Sequence, residues 1–79
     1  GFGRYDIMLE PKDKNGNSFI MEFKVLDDIK EKTIEDTIKN AKEQIDKKEY
    51  EAILKEKGYT NITKMVFAFK AKEVKMEIY

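Results

Sequence analysis

Gly3-Arg4-Tyr5-Asp6-Ile7 and Ile20-Met21-Glu22-Phe23-Lys24-Val25, whose glutamate lies sixteen residues beyond that aspartate, are the two runs on which the fold turns. Both are rich in β-branched and aromatic residues, and between them lies Asp13-Lys14-Asn15-Gly16-Asn17, whose Asn-Gly pair favours positive φ and closes hairpins. Arg4 to Pro11 and Phe19 to Leu26 therefore read as antiparallel neighbours. A turn centred near Asn15 puts Asp6 opposite Lys24 and Met8 opposite Glu22. All four then share one face by the two-residue period of a strand. A slip of one residue would separate Asp6 from Glu22.

Two carboxylates and an ammonium beside Met8, Ile20 and Leu26 sit on a surface that reads as covered rather than solvated. Charges there lose water unless something compensates them, and a divalent cation would. Hard oxygen donors suit Mg²⁺, with Mn²⁺ as a substitute. Asp6 and Glu22 would hold the ion, and Lys24 would position a water or stabilise charge on phosphorane oxygens, which is metal-assisted phosphodiester hydrolysis. The same triplet also reads as an ordinary charged hairpin face, with Lys24 in cross-strand ion pairs worth roughly 0.2 to 1 kcal/mol.

The rest of the chain reads as a crossover helix and two more strands. Thr33 or Asp28 can cap a helix whose apolar positions Ile34, Ile38, Ala41, Ile45, Ala52 and Ile53 keep helical spacing, with Gly58 ending it. Its apolar face should dock on the hairpin. Ile62 to Phe69 and Glu73 to Ile78 follow as a strand pair through Lys70-Ala71-Lys72, a turn without Gly or Asn. The fold class is α/β: a mixed sheet made of an N-terminal hairpin, a long crossover helix and a C-terminal strand pair.

In this order, the Gly-Arg-x-Asp strand, the Glu22-Phe23-Lys24 element, the helix with Ala41-Lys42-Glu43-Gln44-Ile45 and Lys48-Glu49-Tyr50, and Met65-Val66-Phe67-Ala68-Phe69 resemble the PD-(D/E)XK nuclease superfamily. The branch resembled is often found at the C-terminal end of AAA-ATPase-like proteins of bacteria and archaea. The resemblance covers nearly the whole chain and implies a restriction-endonuclease-like core acting on DNA in preference to RNA. It implies Asp6 and Glu22 as metal ligands, Lys24 as the catalytic lysine and Gln44 as a helix residue of the active site. Tyr50 is a weaker candidate, because relatives of the RecB type place a tyrosine four residues after the glutamine. Here the separation is six, which turns it to another side of an unbroken helix. The resemblance also implies a core lacking its N-terminal helix, and the missing initiator Met and a start almost inside the first strand suggest one domain over residues 1–79 excised from something longer.

Sixteen basic and sixteen acidic residues balance, so net charge lends no weight to a nucleic-acid partner. Lys39, Lys42, Lys47 and Lys48 are interleaved with Glu35, Glu43, Asp46 and Glu49, which reads as a solvated, ion-paired helix face. With no Cys and no His, disulfides, thiolate or imidazole metal sites and His-based triads are excluded. No membrane span or leader is apparent, so a cytoplasmic location is expected. A domain of this size buries roughly 60 to 65% of its unfolded surface, and its second sheet face would be uncovered. A homodimer or a companion domain is expected there, with Met8, Ile20 and Leu26 as the residues whose change would break association. The rival functional reading is a catalytically silent module for nucleic-acid binding or protein assembly; a third is a fragment without autonomous activity.

Overall fold

Pro11 cannot donate a ladder hydrogen bond, and the first strand, β1, accordingly spans Arg4–Leu9 in the computed structural model, which describes residues 3–79. The second strand, β2, is Asn17–Val25. The loop between them is built on Asp13, whose side chain accepts from the Asn15 N–H at 2.9 Å and whose carbonyl accepts from the Gly16 N–H at 2.9 Å. Positive φ among the described residues is confined to Gly3, Glu49, Gly58 and Ala71, so Asn15-Gly16 does not form the expected tight hairpin turn. The hairpin instead centres on Lys14. Asp6 pairs with Glu22, Met8 with Ile20 and Arg4 with Lys24, two residues from the expected register. Because the shift is even, Asp6, Glu22 and Lys24 still share a face.

Gly3 fixes how the chain joins this hairpin. Its φ is +47°, a Cβ there would sit 2.6 Å from a Val25 methyl, and its carbonyl accepts from the Val25 N–H at 2.8 Å.

Helix α1, Ile34–Lys47, begins at Thr33, which accepts from the Asp36 N–H while Asp36 accepts from the Thr33 N–H; Asp28 is not the cap. The expected single helix is two. At Glu49 the backbone turns left-handed, with φ 57°, and α2 runs Tyr50–Glu56. Gly58 at φ +98° follows it. Leu54 is the buried residue of α2, whereas Ala52 and Ile53 are exposed because the break rotates the second segment. Strands β3, Asn61–Lys70, and β4, Glu73–Ile78, complete a mixed sheet ordered β1-β2-β3-β4, parallel only between β2 and β3. The β3–β4 turn bends without glycine by placing Ala71 at φ 51°.

Helix α1 packs on β3, β2 and β4 rather than centrally on the hairpin. Ile34, Ile38, Ala41 and Ile45 close over Ile20, Val66 and Ala68, with Leu54 and Tyr59 completing the core. The other sheet face carries Tyr5, Ile7, Leu9, Met21, Phe23, Met65, Phe67, Phe69, Val74, Met76 and Ile78, of which none is buried. Tyr5, Phe23 and Phe67 stack across it at centroid distances of 5.0 and 4.7 Å. Met8 and Ile20 lie on the helix-covered face, Ile20 fully buried, and not on the open face where the sequence places association. No described helix is long and apolar enough to cross a membrane.

Candidate active site

Cross-strand pairing on the covered face sets Asp6 directly against Glu22 at the centre of the hairpin. Glu22 is 0% exposed. Taken as carboxylates, both Glu22 oxygens and Asp6 Oδ1 are buried without a hydrogen-bond partner among the described residues. Burial, then a hydrogen bond and repulsion from Asp6, push Glu22 up to about 8. Burial would raise Asp6 too, but hydrogen bonds from Glu22, Lys48 and Tyr50 outweigh it and hold Asp6 at about 2. At neutral pH the pair therefore keeps one proton, on Glu22.

Four side chains surround the pair. Arg4, two residues before Asp6 on β1, brings Nε to 2.8 Å from Glu22 Oε2, near enough for charge attraction though not aligned as a hydrogen bond. Its Nη2 donates to Gln44 Oε1 at 2.5 Å. Lys48 donates to Asp6 Oδ2, and the Tyr50 hydroxyl donates to the same oxygen at 2.8 Å. Gln44 and Lys48 are four residues apart, hence on one side of the helix at its C-terminal end. The break at Glu49 turns Tyr50 to that side as well, against the expectation from an unbroken helix.

Lys24 is not in a cross-strand ion pair with Asp6 or Glu22. It faces Arg4 across the ladder, and its Nζ donates to Glu31 Oε2 at 2.8 Å. Arg4, Lys24, Lys30, Glu31, Asn40 and Gln44 help line an open cavity of about 340 Å³ beside the acidic pair. Two of the expected residues, Lys24 and Gln44, thus share this cavity, while Asp6 and Glu22 form the pair adjoining it through Arg4.

Arg4 and Glu31 carry no role on the sequence alone, and Lys48, expected on a solvated, ion-paired helix face, instead pairs with Asp6. Arg4 was findable, since it shares strand parity with Asp6, and Lys48 was findable from its spacing to Gln44. Glu31 sits in the β2–α1 loop, where no period points to it.

The donor set fits a small hard divalent cation. Three buried carboxylate oxygens lack partners, all are hard, and Mg²⁺ commonly takes one or two carboxylates and completes its shell with water and phosphate. No cluster of three or more acidic, histidine or cysteine side chains suited to a metal occurs among the described residues, so Asp6 and Glu22 are the two side chains that would hold the ion.

A mixed sheet with its crossover helices on one face is an α/β fold consistent with a restriction-endonuclease-like core, and the acid pair stands on two of its adjacent strands. A family model described as the PD-(D/E)XK nuclease superfamily matches residues 1–78, and the chain belongs to that superfamily. No curated protein and no solved structure gives a significant match.

Proposed function

We propose that this domain hydrolyses phosphodiester bonds in DNA with Mg²⁺ held by Asp6 and Glu22. The observation that carries the reading is the buried Asp6–Glu22 pair, of whose four oxygens only Asp6 Oδ2 accepts a hydrogen bond in the carboxylate form among the described residues, beside a cavity whose lining includes Arg4 and Lys24. Membership of a nuclease superfamily supports it. When bound, the ion would polarise the scissile phosphate and acidify a water.

The chain supplies the remaining parts. Glu22 must give up its proton before it can ligate, so metal affinity rises with pH up to about 8. Lys24, lining the cavity, donates to a phosphate oxygen as negative charge builds there. Gln44 holds the Arg4 guanidinium, which places a second cation at the cavity wall. Tyr50 and Lys48 orient Asp6 through their hydrogen bonds to Oδ2.

The test is cleavage of plasmid, linear duplex, single-stranded DNA and RNA with Mg²⁺, comparing the unaltered chain with Lys24→Ala. Loss of about 10²-fold or more in rate, with Mn²⁺ binding retained, is the expected result. Equal cleavage by both proteins would overturn the reading. A catalytically silent assembly module is the second reading, favoured by the open apolar sheet face around Phe23 and Phe67. It predicts no turnover by either protein.

A further inference from the structure

Two glutamates are buried beside Lys24, and their surroundings are opposite. Neither Glu22 oxygen accepts a hydrogen bond among the described residues, whereas Glu31, 3% exposed, accepts four. Lys24 Nζ at 2.8 Å and Asn40 Nδ2 at 2.5 Å donate to Oε2. The Asp27 N–H and the Thr37 hydroxyl, each at 2.9 Å, donate to Oε1. A carboxylate offers about four acceptor positions, so Glu31 is saturated and has nothing left for a metal. These donors hold it well below the usual carboxylate range, at about 2, even though burial alone would raise it.

The geometry points to Glu31 as a positioning residue that holds the Lys24 ammonium at the cavity wall and away from Glu22. This inference rests on the metal-site reading given above. Lys24 follows Glu22 by two residues on the same face, about 7 Å along the strand. A lysine stem spans that distance. Released from Glu31, the ammonium would reach along its own face to Glu22 and, once that acid has given up its proton to bind a metal, compete with the cation for it. The Asn40, Thr37 and Asp27 contacts fix Glu31 to α1 and to the loop, so its carboxylate cannot follow Lys24 inward. Arg4 already contacts Glu22, which makes a second cation there more damaging to metal binding.

Mn²⁺ calorimetry on four forms of the chain separates this role from a purely structural one. Glu31→Gln should weaken Mn²⁺ about tenfold. Adding Lys24→Met to it should restore the affinity, because the released ammonium is gone. Thr37→Val, which removes a structural donor without touching Lys24, should leave affinity unchanged. Weakening that persists in the double variant, or no weakening in Glu31→Gln, would overturn the inference while leaving the metal site standing. Absence of binding by the unaltered chain would overturn the metal reading and this inference with it. Should Glu31→Gln fail to fold, nitrogen NMR of the unaltered chain decides: Lys24 ammonium protons shielded from solvent exchange support the clamp, and freely exchanging ones overturn it.

Discussion

Replacing Glu22 with glutamine should make the domain more stable at alkaline pH and flatten its pH dependence. Glu22 titrates at about 8 in the fold against an ordinary 4.5, so the folded state holds a proton that the unfolded chain has already lost. Its contribution is complete below 4.5 and disappears as pH rises through about 8. At about 1.4 kcal/mol per pH unit, that span amounts to a ceiling of about 5 kcal/mol. Asp6 has the opposite sign: depressed from 3.8 to about 2, it adds stability above 3.8 that is lost as pH falls towards 2. Above pH 5.5 Asp6 is ionised in both states, so it adds nothing to a change between pH 5.5 and 9. Small domains hold roughly 5 to 15 kcal/mol in total, so alkali should bring this one close to unfolding. Glutamine stays neutral, and its amide can donate to Asp6 where the protonated acid did. Urea unfolding with chelator at pH 5.5, 7 and 9 is the assay. The unaltered chain should lose more than about 1 M in midpoint over this range, given a slope of about 1 kcal/mol/M for a domain this small, while Glu22→Gln changes little. Parallel curves for the two proteins would refute the reasoning.

Other consequences are local. Ser18 is fully buried with an unpartnered hydroxyl, so Ser18→Ala should stabilise the fold by about 1 kcal/mol in urea melts. Glu49→Gly should relieve the left-handed strain at φ 57° and raise stability by roughly 0.5 to 1 kcal/mol, with the Tyr50 to Asp6 hydrogen bond retained by NMR. Thr33→Ala removes the side-chain half of the capping box and should cost about 1 kcal/mol by the same measurement.

Strand periodicity carried most of what was legible. Parity along β1 and β2 put Asp6, Glu22 and Lys24 on one face, and it survived a two-residue error in register because only odd shifts change face. The error arose at Asn15-Gly16, where Asp13 organises the turn through its own side chain and carbonyl. Thr33 with Asp36 announced the helix start, but nothing announced the break at Glu49, since glutamate has no preference for left-handed backbone. That break controls where Tyr50 points, so the second support of Asp6 was hidden from helical spacing. Partnership in the β2–α1 loop was hidden for another reason: the donors to Glu31 come from a strand, a loop backbone and two helix positions that only the fold assembles.

The central claim is that Asp6 and Glu22 together bind one divalent cation. Calorimetric titration of Mn²⁺ at pH 7, repeated in buffers of different ionisation enthalpy, tests it most directly because the pair holds one proton in the metal-free fold. One ion per chain, release of close to one proton, and loss of binding in both Asp6→Ala and Glu22→Gln are expected. Binding that survives either substitution, or that releases no proton, would contradict the claim.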